Sequence, residues 1–117
     1  MTHRTRVDAA TFLLVKNGQR IIEPRLYDPA HRAVRVGDLL LFEQRDTNEE
    51  LVAKVVGLLR FGSFKELFNA YPTERFGKSE EELLGDMHKF YTLDQELQHG
   101  VVGIKMHILK GPQAKNA

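Results

Sequence analysis

Cysteine is absent from the 117-residue sequence, so neither a disulfide framework nor thiolate metal chemistry is available, and nothing calls for an oxidising compartment. No apolar run approaches the roughly 20 residues needed to span a bilayer. The basic start, Met1-Thr2-His3-Arg4-Thr5-Arg6, leads into an apolar segment that Lys16 and Asn17 cut short, unlike a secretory signal. A cytoplasmic location without membrane contact is the expectation. A strong excess of one charge is also missing. The net charge of +1 gives no global case for a polyanionic partner. GxxxxGK[ST], GxGxxG, HExxH and GxSxG are all missing, which sets aside nucleoside triphosphate hydrolysis, dinucleotide redox chemistry and the familiar zinc and serine hydrolases. The five histidines, His3, His31, His88, His99 and His107, show no ligand-like pairing, so neither a metal nor another cofactor is expected.

What is present is ordinary globular composition, 42% hydrophobic and 28% charged, at a length suited to one domain with its own core. Residues 1–117 read as one unit, with a core from about 8 to 109 and loose tails at 1–7 and 110–117. Asp8 before Phe12-Leu13-Leu14-Val15 and Gly18 frames a short helix. Gln19 to Leu26 looks extended, and Pro24, which has no N–H to donate, belongs at a sheet edge or a bulge. Tyr27 to Arg32 suits an irregular turn. Val36-Gly37-Asp38 turns the chain into a strand at Leu39 to Glu43, and the polar stretch 45–50 is a hairpin tip leading to a long strand from Leu51 to Phe61. Gly57 within it marks a bulge that lets the sheet curl. Ser63 with Glu66, and Ser79 with Glu82, are spaced as capping boxes that open two helices. Thr92 to Gly100 reads as a polar loop before a closing strand from Val101 to Leu109. The whole describes an α+β domain, a small curled sheet or β-barrel of four to six mixed or antiparallel strands with short helices packed outside.

Charge is unevenly distributed. Between Lys16 and Arg35 stand five basic residues against Glu23 and Asp28, whereas from Ser79 to Glu96 six acids face Lys89 alone. The first stretch is the better place for an anion. Within it, Gly18-Gln19-Arg20-Ile21-Ile22-Glu23-Pro24-Arg25 stands out, although strict strand alternation sets Arg20 apart from Glu23 and Arg25 unless the chain bends. The bland alternative is an edge strand carrying solvated charges, and a surface pair of that kind contributes only ~0 to 1 kcal/mol. His31 lies in the adjoining turn, where an imidazole can touch phosphate or move a proton; an exposed turn histidine is the competing reading.

These residues carry a resemblance. The run GxRxxExR after a helix, the turn ending in Val36-Gly37-Asp38, the strand pair leading to Ser63-Phe64-Lys65-Glu66-Leu67, and Tyr91 before Gly100-Val101-Val102-Gly103-Ile104 together resemble the activating-signal-cointegrator homology (ASCH) domains of the PUA-like superfamily, over about Phe12 to Leu109. The resemblance implies a PUA-like β-barrel with a cleft beside the Gly18–Arg25 strand that binds RNA or a nucleotide-like ligand. It makes Arg20 the family's basic position and Glu23 its acid, aligns Gly37 and Asp38 with the turn that shapes the barrel, and puts Ser63 and Tyr91 near the cleft. Arg20 stands where lysine is commoner. Arginine forks onto phosphate or a base edge but does not serve as a deprotonated amine. Some ASCH-like bacterial proteins resemble amidohydrolases acting on acetylated cytidine through a lysine, a threonine and a glutamate. Here those lysine and threonine positions read Arg20 and Glu23, so the nucleophile is missing.

Three functions are open from the sequence. The first is a binding module in which Arg20, Arg25, Arg32 and His31 engage phosphate or a base edge while Tyr27 or Tyr91 offers a ring for stacking. For Tyr91 the competing role is packing, since it continues the stripe of Leu83, Leu84 and Met87. The second is a hydrolase acting on RNA or a modified nucleoside, with Glu23 as acid or base and Arg20 steadying negative charge. The third is a protein-interaction adaptor working through the acidic helix Glu80 to Asp86, a run that as readily forms a solvated helix face.

Overall fold

The computed structural model describes residues 1–110, for Lys110 the backbone alone. Five strands form one mixed sheet in the order β1-β3-β4-β5-β2, with five helices outside it. They are β1 (Thr2–Val7), α1 (Ala9–Lys16), β2 (Ile22–Leu26), α2 (Pro29–Arg32), β3 (Leu39–Gln44), β4 (Glu50–Phe61), α3 (Phe64–Ala70), a 3-10 turn (Thr73–Arg75), α4 (Glu80–Phe90), α5 (Leu93–His99) and β5 (Val101–Lys110). This is the α+β half-barrel with outside helices that the sequence describes. The sheet curls until its two edge strands, β1 and β2, face each other across an unpaired seam, where Arg25 Nη2 donates to Thr5 Oγ1 at 3.2 Å.

Several elements arise as their local signals require. Asp8 caps α1 by accepting from the Thr11 N–H at 2.8 Å. Ser79 and Glu82 close a full capping box on α4. The pairing of β4 with β5 slips between Val55 and Gly57, the bulge expected at Gly57. Gly37, at φ +98, occupies a conformation that L side chains resist, and this turn launches β3. Pro24 lies in an edge strand, as its chemistry demands. Met106 N donates to the Ile21 carbonyl, and bonded and non-bonded pairs alternate along an antiparallel ladder, so Pro24 and Gly103 are a non-bonded pair. The missing N–H of Pro24 therefore faces the seam and costs the ladder nothing.

Four expectations need correction. Residues 1–7 are not a loose tail: Thr2–Val7 is β1, parallel to β3, with Arg4 and Arg6 outside on Glu43 at 3.3 and 3.6 Å, while His3, Thr5 and Val7 turn inward. The expected loose tail at 110–117 lies outside the described residues except for Lys110, which ends β5. Tyr27 to Arg32 is not wholly irregular, because Asp28 caps a single turn of helix, α2. The supposed loop after Thr92 is α5, with Thr92 and Gln95 forming its own capping box. At α3 the expected box is half made: Ser63 caps the helix, but Glu66 reaches past it to the Gly62 N–H at 3.0 Å.

The core divides across β5. Val102, Ile104 and Met106 join Phe12, Phe42 and Leu51 inside the curl, whereas Val101 packs with Phe64, Leu67, Phe68 and Leu83 beneath α3 and α4. Gly103 has no room for a side chain between β2 and α3, since an added Cβ would sit 2.8 Å from Ile22 Cγ2 and 3.0 Å from Leu67 Cδ1. Gly103→Ala is therefore expected to destabilise the fold by about 1–3 kcal/mol through overpacking, read as a lower denaturant midpoint.

Asp38 secures the start of β3. Its carboxylate lies 2.8 Å from His3 Nε2 and accepts the Arg35 N–H at 3.0 Å, and these hydrogen bonds hold its pKa at about 2, below the ordinary 3.8. A depressed carboxylate stabilises the fold fully above about pH 4 and ceases to do so as pH falls toward 2. Thermal melts across that window should show Asp38→Asn losing less stability on acidification than the parent protein.

Candidate functional site

Three charges meet at the seam. Glu23 in β2 is 1% exposed and lies between Arg20, 3% exposed, and the half-buried Arg25. Arg20 Nη1 donates to Glu23 Oε1 at 3.4 Å, and Arg25 Nη1 is in close ionic contact with Glu23 Oε2. The chain does not enter β2 until Ile22, which lets Arg20 break strand alternation and reach the same carboxylate. Arg20 Nε also donates to the Phe76 carbonyl at 2.8 Å, tying β2 to the segment before α4. The bland reading of solvated edge charges fails, because two of the three side chains are buried.

Two cavities flank this cluster, and Thr5, Glu23 and Arg25 line both. The larger, about 460 Å³, runs from the seam to the end of α4. Its cations are Arg6, Arg20, Arg25, Arg45 and Lys89 against Asp8, Glu23 and Asp86, five positive to three negative, so an anion is the favoured guest. Asp8 is committed to capping α1, and Asp86 accepts from Lys78 at 2.6 Å. Arg45 is exposed and makes no ion pair among the described residues. The smaller cavity, about 370 Å³, is lined by His3, Arg4 and His31 beyond the shared residues.

The expected site residues divide. Arg20, Glu23, Arg25 and Tyr91 line the larger cavity, and His31 the smaller, its Nδ1 held 2.8 Å from Asp28. Arg32 lines neither; its guanidinium sits 5.0 Å from the Tyr27 ring centre, and Arg60 approaches the same ring at 4.2 Å. Tyr27 is thereby covered by cations and is not free to stack a base. Ser63 also lines neither cavity, because its hydroxyl caps α3. Tyr91 does both of the things expected of it: it lines the cavity while stacking on Phe64 at 5.8 Å, and burial raises its pKa above 10.

Sequence reasoning passed over Phe90, Arg6, Arg45 and Glu96. Phe90 lines the larger cavity with 67% of its surface exposed, an unusual position for a phenyl ring. By spacing Phe90, seven residues after Leu83 and three after Met87, continues the apolar stripe of α4 as Tyr91 does, so periodicity expects it buried and gave no signal of its exposure. Glu96 is buried on α5, where Oε1 accepts the Phe64 N–H at 2.8 Å and Oε2 lies 3.0 Å from His88 Nε2. It joins α3, α4 and α5 behind the cavity wall. No group of three metal-ligating side chains occurs among the described residues, and no helix there is long and apolar enough to cross a membrane.

No protein-family model matches the chain, and no curated protein does. Solved structures do. The crystal structure of the hypothetical protein PH0355 matches with a TM-score of 0.82 at 31% identity, covering 93% of this chain and 100% of that one. The chain belongs to the same family as PH0355 and has the ASCH fold. Protein PF0455 from Pyrococcus furiosus is similar at a TM-score of 0.75 and 28% identity, covering 93% of this chain and 98% of its own. The fold is shared with ASCH from Zymomonas mobilis, at a TM-score of 0.69 and 12% identity, over 95% of this chain and 69% of that one. With the ASCH fold, the seam beside β2 is where the sequence resemblance expects a cleft.

Glu23→Ala would leave Arg20 buried without its counter-charge, at an expected cost of about 3–5 kcal/mol. Glu23→Gln, which keeps an acceptor, should cost less. Denaturant titration decides the matter: a loss within the ~0–1 kcal/mol of a surface pair would mean that the cluster is solvated.

Proposed function

We propose that this protein binds single-stranded RNA, or a nucleotide-like fragment of it, in the seam between β1 and β2. The observation that carries the reading is the 460 Å³ cavity in which the buried Arg20–Glu23–Arg25 cluster meets the exposed ring of Phe90 and the free guanidinium of Arg45. Its volume lies within the roughly 300–1,000 Å³ usual for small-ligand sites. Phosphate is served by Arg45, Arg6 and Lys89 at the rim, and an unpaired base by the deeper cluster. Phe90 supplies the stacking face that a single-stranded base requires and a paired one does not, worth about 1–3 kcal/mol per base. The ASCH fold, shared with the Zymomonas mobilis protein, supports a ligand cleft at this place.

The adaptor reading has less behind it, because the acids of α4 already have local work. Glu82 completes the capping box, Asp86 holds Lys78, and the remaining glutamates suit the positive end of the helix. A hydrolase reading needs Glu23 as a free acid or base, whereas Glu23 is buried and held between Arg20 and Arg25.

The test is amide chemical-shift mapping with a short single-stranded RNA, a matching DNA and a duplex, each at two salt concentrations. Shifts should gather at residues 20–25, 45 and 89–91 with the single strand and weaken with salt. Arg45→Ala is expected to weaken binding to all sequences alike and to lower the salt slope by about 1. Phe90→Ala should weaken it with the slope unchanged. Shifts that avoid the seam, or none at all, would end this reading.

A further inference from the structure

Arg60 stands where the pattern of the sheet calls for an apolar side chain. Residues directly opposite each other in an antiparallel pair share a face. Leu58 lies opposite Ile104 and Arg60 opposite Val102, and both partners belong to the core inside the curl. Arg60 is therefore the last inner-face residue of β4, at the open end of the curl, and it is exposed. Its guanidinium lies 4.2 Å from the ring centre of Tyr27, and that of Arg32 lies 5.0 Å from the same centre. An aromatic face holds a cation without using up its N–H groups. Among the described residues Arg60 makes no hydrogen bond and no ion pair, and Arg32 commits only Nε, to the Tyr27 carbonyl at 2.9 Å. Two oriented guanidiniums are thus left with most of their donors open.

A cavity of about 340 Å³ opens beside this ring, lined by Tyr27, Arg60, Gly62 and His99 among others and by no acidic residue. Acids of the adjoining segments have local work: Asp28 accepts from the His31 N–H at 3.1 Å, and Glu66 from the Gly62 N–H at 3.0 Å. Cations already cover the Tyr27 ring, so the place suits an anion rather than a stacked base. The planar fork of arginine matches the oxygens of a phosphate group. The register ties this place to the seam, because Arg25, Val102 and Arg60 form one row across β2, β5 and β4. Neighbouring strands lie about 4.8 Å apart, which puts the backbones of Arg25 and Arg60 roughly 10 Å from each other. We propose that Arg60 and Arg32 form a second anion site, one that takes a backbone phosphate of the same RNA strand whose other nucleotides lie in the seam. A fragment confined to the seam leaves these two cations unpaired, and a strand long enough to pass the end of β2 meets them.

The inference rests on the nucleotide-binding reading above, and the length of the oligomer separates the two. The wild-type protein, Arg60→Gln and Arg60→Lys, each checked for folding by its amide spectrum, are titrated over a range of salt with a dinucleotide, with a single-stranded RNA of about ten nucleotides, and with inorganic phosphate. With the long strand, shifts are expected at residues 27, 32, 60 and 99 as well as at the seam; with the dinucleotide they stay at the seam. Arg60→Gln should weaken the long strand about threefold or more and lower its salt slope by about 0.7, the value for one phosphate of a single strand, while leaving the dinucleotide unchanged. Arg60→Lys keeps the charge and should keep the slope. Wild-type affinity and slope for the long strand in Arg60→Gln, with the seam shifts intact, overturn the second site and leave the RNA reading standing. Saturation of residues 27, 32 and 60 by inorganic phosphate at a lower concentration than by the long strand overturns the strand as the source of the phosphate. No binding of any strand overturns both readings.

Discussion

The carboxylate of Glu23 is the constraint around which the seam is arranged. An isolated ionised group moved out of water is held only if opposite charge and hydrogen bonds replace its hydration. Arg20 and Arg25 provide the charge, and each is fixed by something else: Arg20 by the Phe76 carbonyl, Arg25 by Pro24 and by Thr5. One acid thereby ties together β2, the opposite edge strand β1, and the segment that leads into α4. β1, β2 and the end of α4 form walls of the larger cavity.

The open seam and the cavity have one origin. β1 runs parallel to β3 and lies at one edge of the sheet, while β2 at the other edge carries Pro24 with its donor-less nitrogen toward the gap. An edge of this kind does not invite another strand, so the curl closes through side chains rather than through a ladder. Side-chain closure leaves space between residues where backbone closure would leave none. The fold therefore creates a site at the place where its sheet fails to seal, and only polar side chains long enough to bridge the gap can line it.

Much of this was legible in the sequence, and the exceptions share a cause. Capping residues, the Gly37 turn, the Gly57 bulge, the edge proline and the Arg20–Glu23–Arg25 run all express local chemistry, and all appear where the residues put them. β1 was hidden because its outward face is Arg4 and Arg6 and its inward face includes His3 and Thr5, so no apolar alternation betrays it. α5 was hidden by inversion: its buried residue is Glu96, whereas Leu93 and Leu97 are 65% and 84% exposed. In each case tertiary partners, Glu43 for the arginines and the Phe64 N–H for Glu96, decide what propensity and periodicity leave open. Ser63 misled in the other direction, since its hydroxyl oxygen caps α3 and the residue lines neither cavity. The charge cluster was legible in membership but not in burial, because burial depends on β1 and on Phe76, both remote in sequence.

Stability alone gives a poor account of such a cluster. Replacing buried ion pairs with well-packed apolar residues is often neutral or stabilising, so three charges at a seam are not what a fold needs to stay folded. The packing around them does not need them either: Phe42, Phe64 and Leu51 fill the two cores without contributing to the seam. Departures from local rules that persist without structural return are expected where a protein does its work. Glu23 departs as a fully buried acid in an edge strand, held between two arginines. A site preorganised in this way bears the cost of desolvating its charges during folding, before any ligand arrives.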